Sequence, residues 1–170
     1  MKYNFLIFSL YFPAFVPLTN AADITITTTA TLTVESCTIN NGSDTFVDFG
    51  VLAQELFNSP NQIPPQMVTM PMTCEGMAPD TSLVIRMNAN PSAQNPDTVA
   101  TTNPDLGIAL SDGNDLSDSS AWIPPNSGTL PVTLAGGKTD IILYAVPVRT
   151  GGLPAEGPFD GTMTLSVEYP

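Results

Sequence analysis

Histidine is absent from all 170 residues. That excludes imidazole acid–base catalysis, Ser-His-Asp and Cys-His nucleophile arrangements, and every histidine-ligated metal site. Positive charge is nearly absent too: four Lys and Arg stand against sixteen acids, for a net charge of −12. Duplex DNA and anionic membrane surfaces both require clustered Lys and Arg, so neither nucleic acid nor a membrane surface is an expected partner. Charged residues of all kinds make up only 12% of the chain, about half the usual share. The two cysteines suffice for one disulfide and are too few for a four-cysteine metal site. Helical signals are weak, because no stretch of a dozen residues keeps a 3.6-residue apolar period free of Pro and Gly. The chain is not expected to be an enzyme, and no cofactor or metal is expected.

The 17 Pro and 12 Gly suit a β-rich, turn-rich chain. Lys2 is followed by an apolar run from Phe5 to Leu18 and by small residues ending at Ala21-Ala22. This is the layout of a secretory signal peptide over residues 1–21. Pro13 and Pro17 interrupt the run, which argues against an uncleaved anchor helix of about 20 residues. Export to an oxidising compartment predicts a disulfide between Cys37 and Cys74, closing a loop of 38 residues. A reactive thiol is the alternative, but no base or positive cluster lies near either cysteine in sequence.

Period-2 alternation recurs along the remainder. Ile24, Ile26, Thr28, Ala30, Leu32 and Val34 share one face of an N-terminal segment, with Thr25, Thr27, Thr29, Thr31 and Thr33 on the other. Val68, Met70, Met72 and Cys74 form another apolar face, as do Leu83, Ile85 and Met87, then Leu130, Val132 and Leu134. Ile108 and Leu110, and a continuous run Ile141–Val148, add two more segments. The last segment alternates Met163, Leu165, Val167 and Tyr169 with Thr162, Thr164, Ser166 and Glu168. Seven or more short strands between turns predict an antiparallel sandwich of one domain. Pro71 and Pro147 lack an N–H and are expected on edge strands or at bulges. Residues 88–105 and 111–128 read as polar loops, the second holding the lone Trp122.

Several features have competing readings. Asp112–Asp118 is loosely like a calcium loop, yet Leu116 takes the third ligand position and Ile123 replaces the bidentate glutamate; a solvated acidic loop is the better reading. Trp122 suits either partial burial or contact with a receptor or sugar. Asn41-Gly42-Ser43 fits a glycosylation triplet but reads as a turn. The acids show no spacing that supports a glycosidase pair.

The N-terminal alternation could pair within its own domain or with another molecule, and periodicity does not choose. A resemblance does. Ala22-Asp23-Ile24-Thr25-Ile26-Thr27 is similar to the mature start of minor pilins of type 1 pili. Ser36-Cys37-Thr38-Ile39-Asn40-Asn41-Gly42 with Val47-Asp48-Phe49-Gly50 resembles the first-cysteine region of chaperone–usher pilins, in particular minor subunits of P pili. Met72-Thr73-Cys74 and Leu106-Gly107-Ile108-Ala109-Leu110 resemble two further family strands. Gly157, fourteenth from the end, and penultimate Tyr169 resemble the family's chaperone-recognition strand.

The resemblance implies an all-β, incomplete immunoglobulin-like antiparallel sandwich that lacks its last strand and is completed by a donor strand from another subunit. Residues 22–34 are then an N-terminal donor-strand extension, with Ile24, Ile26, Thr28, Ala30 and Leu32 entering a neighbour's groove. Residues 35–170 are the pilin domain. Gly157, Met163, Leu165, Val167, Tyr169 and Pro170 are its groove wall and chaperone-recognition residues. The implied partners are a periplasmic pilus chaperone, an outer-membrane usher and neighbouring pilin subunits; a host receptor stays open. The implied destination is an extracellular fimbrium reached through the periplasm. The implied function is that of a minor pilin or adaptor, polymerising by donor-strand exchange and contributing to adhesion; the alternatives are an assembly terminator or a tip adhesin. Ala30 stands where the family often has glycine, Thr28 sets a hydroxyl on the apolar face, and Pro170 after Tyr169 is unusual.

Overall fold

The computed structural model describes residues 35–59 and 62–169. The expected signal peptide and the alternating segment 22–34 lie outside the described residues, as does Pro170. The strands are β1 (Ser36–Ile39), β2 (Gln66–Glu75), β3 (Ser82–Ala89), β4 (Val99–Ala100), β5 (Leu106–Ser111), β6 (Thr129–Thr133), β7 (Lys138–Arg149) and β8 (Met163–Glu168). Short 3-10 turns fall at Asn40–Gly42, Gln54–Asn58 and Ser119–Ala121.

Period-2 patterning places these strands in two antiparallel sheets. The larger has the order β1-β2-β7-β5-β4 and the smaller β6-β3-β8. Their facing sides form the main core. Met70, Met72, Cys74, Leu83, Ile85, Met87, Leu130, Ile141 and Leu143 are buried in it, at alternate positions as a sheet with one inward face requires. Pairing puts Cys37 directly opposite Cys74, and a disulfide joins them across β1 and β2. That bond fixes a four-residue edge strand that has little else to hold its register.

β7 reads as a run instead of an alternation because its C-terminal half is covered on both sides, whereas Ile142 stays exposed. Ile141, Leu143 and Ala145 face the main core. Val146 belongs to a second apolar cluster with Ile63, Ala109 and Leu116, against which Phe57, Trp122, Tyr144 and Val148 pack. Leu52, Leu56, Phe57 and Ile63, with the loop after β5, thus roof part of the larger sheet's outer face.

The two strand prolines sit differently from expectation. β2 and β7 are interior strands in the sheet order. Pro71, however, lies one residue beyond Met72, where β1 has ended opposite Ile39. Pro147 lies two residues beyond Ala145, where the β2 pairing ends. Each proline occupies a local edge within a central strand, so each stands where its missing N–H has a neighbouring strand on one side only. The segment read as a loop over 88–105 contains β4, with Thr98 and Val99 buried. Gly107 makes room for it: a Cβ there would lie 2.7 Å from Thr98 Cβ and 2.9 Å from Thr150 Cγ2. Asn40 and Asn41 take positive φ in a tight turn, as the Asn-Asn-Gly sequence suggests.

Candidate functional site: a cleft along an unpaired strand edge

β8 pairs with β3 on one side, in the register Val84↔Glu168 through Ala89↔Met163. Among the described residues no strand pairs with its other edge. An open edge presents a row of unused backbone donors and acceptors. Beside it runs a cleft of about 730 Å³. One wall is Phe159 to Leu165, including Met163 and Leu165 of β8; the other is built from Ile39 to Phe49 after β1. The floor is the inner face of the larger sheet, with Val68 and Met70 from β2, Leu143 and Ala145 from β7, and Ile108 and Leu110 from β5. The cleft therefore opens directly onto the main core. It is apolar below and bordered by an open strand edge on one side, which fits an extended chain with alternating apolar side chains.

The sequence-derived wall residues distribute unevenly. Met163, Leu165 and Val167 pack against the main core, and the first two line the cleft. Tyr169 lies past the end of β8 and is 49% exposed. Gly157 precedes β8 by six residues, with φ of +135° and open space around it, a conformation that side-chain-bearing residues rarely adopt. The expected strand between Gly157 and Tyr169 is thus confined to Met163–Glu168. Ile24, Ile26, Thr28, Ala30 and Leu32 lie outside the described residues.

The opposite wall was not singled out from the sequence. Its signal was present in Phe46, Val47 and Phe49, apolar residues inside the otherwise polar stretch after β1. Phe46 is 90% exposed, Val47 is exposed, and Phe49 packs partly on the core.

Polar contacts hold β8 from both ends. At its start the Thr102 backbone N–H donates to Asp160 O at 2.9 Å, and the Asp160 N–H donates to Thr102 Oγ1 at 3.1 Å. At its end Arg86 of β3 donates Nε to Glu168 Oε1 at 2.6 Å and Nη2 to Oε2 at 2.8 Å. Nη1 of the same guanidinium donates to Asn126 O at 3.0 Å. The hydrogen bond from Arg86, with its charge, holds the Glu168 carboxyl below its ordinary value and raises Arg86. A lowered carboxyl pKa contributes stability above the unfolded glutamate value of about 4.3 and loses it as pH falls through the folded value. Both groups are solvent-accessible, so the effect is small. Glu168→Gln is expected to melt slightly below the parent chain at neutral pH and level with it at the acid end of a pH series. A melting difference that persists unchanged in acid would sink this assignment.

Two packed antiparallel sheets with this strand order define an immunoglobulin-like β-sandwich, and comparison with known proteins agrees. The chain belongs to the fimbrial protein family, whose model matches residues 24–170. It is 30% identical over 146 residues to the type 1 fimbrin D-mannose specific adhesin of Salmonella typhimurium strain LT2, covering 79% of this chain and 41% of that protein. The chain spans about two fifths of the length of the curated relatives it matches. Among solved structures, the P pilus rod subunit PapA superposes with a TM-score of 0.64 at 15% identity, covering 79% of this chain and 99% of that one. The P pilus adaptor subunit PapF superposes with a TM-score of 0.54 at 25% identity, covering 79% and 95%.

Proposed function

We propose that this protein is a non-enzymatic structural subunit, a minor pilin or adaptor, of a chaperone–usher fimbria, and that it polymerises by donor-strand exchange and contributes to adhesion. The observation that carries the reading is the cleft between the open edge of β8 and residues 39–49, floored by the apolar core. An exposed cleft of this kind invites aggregation unless a strand fills it. A periplasmic chaperone fills it first, recognising β8, Tyr169 and Pro170. At the outer-membrane usher, the extension of a neighbouring subunit replaces the chaperone strand. Residues 22–34 play the same part toward the next subunit, with Ile24, Ile26, Thr28, Ala30 and Leu32 facing its groove. Head-to-tail contacts of this type propagate instead of closing, which yields a surface fibre reached by export through residues 1–21. The match of the family model from residue 24 onward and the likeness to an adaptor subunit support it.

Leu165→Glu tests the groove directly. Its side chain lines the cleft, so a carboxylate there meets the incoming apolar strand without a partner. Uptake of a synthetic peptide of residues 22–34, or of a neighbouring subunit's extension, is expected to fall by roughly 100-fold, about 2.7 kcal/mol, while the same change at Thr133, exposed on β6 and outside the cleft, leaves it near the parent value. Equal uptake by parent and Leu165→Glu would refute the assignment of this cleft.

A further inference from the structure

Among the described residues the two sheets end on four strands, β1 and β4 in the larger and β6 and β8 in the smaller. Two of these are poor templates for a further strand. β1 has four residues and β4 has two, and Pro91 already bridges β4 at Val99. β6, with five residues, is nearly as long as β8, with six. Its sequence Thr129-Leu130-Pro131-Val132-Thr133 carries no charge, so the usual protection of an edge by Lys or Glu is missing. The smaller sheet therefore has two edges that compete for an extended chain.

Backbone direction separates them. In an antiparallel strand every second residue turns both its N–H and its C=O to the same side. The Leu134 N–H donates to Thr81 O at 3.0 Å, and the Asn126 N–H donates to Met87 O at 2.8 Å. Odd-numbered residues along β3 thus address β6, and even-numbered ones address β8. With the pairs Leu83↔Val132 and Ile85↔Leu130, Leu130 and Val132 bond β3, while Thr129, Pro131 and Thr133 turn their backbone groups outward. With the pairs Val84↔Glu168, Arg86↔Ser166 and Asn88↔Thr164, the outward residues of β8 are Met163, Leu165 and Val167. The open edge of β8 has an N–H at each outward position. The middle outward position of β6 is a proline and has none.

We propose that Pro131 is a specificity-determining residue that confines strand addition to the edge of β8. This rests on reading the β8 cleft as the strand acceptor. A chain arriving at β6 finds no donor for its carbonyl opposite Pro131 and meets the pyrrolidine ring where the ladder must close. The fold itself loses nothing, because the missing N–H faces away from β3. With a donor restored there, β6 becomes an edge on which a second copy pairs β6 to β6. That two-fold contact closes on itself and diverts subunits from a head-to-tail fibre.

Pro131→Thr restores the N–H with a residue suited to strands. The full chain as exported, with its Cys37–Cys74 bond formed, is followed by sedimentation velocity and by residue-resolved amide exchange. Concentrations run from about 1 to about 100 µM, a range over which mass action fills a weak dimer. In the parent, the Thr129 and Thr133 amides are expected to exchange freely throughout. In Pro131→Thr, the amides at 129, 131 and 133 are expected to slow about tenfold at the upper concentration, with a matching rise in mass. Adding Thr133→Pro removes another outward donor and is expected to return exchange and mass to parent values. Pro131→Ala also restores the N–H and serves if Pro131→Thr lowers the melting temperature. β6 amides that exchange as freely in both single variants as in the parent overturn the proposal. Concentration-dependent protection of Thr129 or Thr133 in the parent overturns it too, as does association that persists unchanged in the double variant. The amides of Met163, Leu165 and Val167, read with and without the peptide of residues 22–34, report on the cleft separately. Their failure to slow counts against the strand-acceptor reading, whereas the β6 amides decide the part played by Pro131.

Discussion

Residues 35–170 on their own are expected to aggregate, and the same residues with 22–34 fused after Pro170 through a flexible linker are expected to stay soluble and unfold about 15 °C higher. The physical reason is the open edge of β8 above an apolar floor. Without a strand, Val68, Met70, Leu143 and Leu165 border a cleft that water fills poorly and that other molecules can enter. A filled cleft gains buried apolar area and a ladder of backbone hydrogen bonds. If that gain is about 5 kcal/mol net, the lower end of a whole domain's stability, a shift of roughly 3 °C per kcal/mol gives the stated rise. Thermal melts and light scattering in the oxidised state measure both quantities. An equally stable and soluble bare domain would mean that the sandwich is complete without a further strand. A bare domain that aggregates and a fusion that rescues nothing would mean that the groove suits another subunit's strand, or that it is blocked.

Loss of the Cys37–Cys74 bond is the second large effect. Double replacement, Cys37→Ala with Cys74→Ala, is expected to cost about 4 kcal/mol on the loop-entropy account. The two residues pair directly across β1 and β2 and lie 37 apart in sequence. β1 has four residues and sits at the edge of its sheet, so few other contacts secure it. Denaturant titration should show a lower midpoint and a somewhat steeper slope, because the unfolded chain without its crosslink exposes more surface. The effect reaches the cleft as well, because Ile39, the last residue of β1, and the segment up to Phe49 that follows it form one of its walls. Peptide uptake should therefore weaken together with stability. A midpoint shift worth under 1 kcal/mol, with full uptake, would show that pairing alone fixes β1.

Most strand positions were legible in the sequence. Val68 to Cys74, Leu83 to Met87 and Leu130 to Leu134 alternate in sequence and form β2, β3 and β6 with their apolar residues inward. A period of two fixes which side faces in whatever the neighbours are. Polar loops were legible in outline, but β4 inside residues 88–105 was not. Two residues carry no period, and they reach β5 only because Gly107 leaves space for the buried Thr98 beside them. Of the cleft, Met163 and Leu165 were read from the sequence, whereas the facing segment after β1 was not, because an irregular wall has no repeat to betray it.

The sequence by itself determined the all-β class, the inward faces, the cysteine pair and the exclusion of histidine chemistry, all of which follow from residue type and local spacing. Which edge is left open was decided by the tertiary structure alone. β8 alternates much as β2 and β3 do, and only the sheet order leaves its far side unpaired among the described residues. The same holds for Pro71 and Pro147, which sit in central strands at points where one neighbour has ended. Local chemistry sets what a strand can do, and long-range pairing sets which of its edges and faces is left to do it.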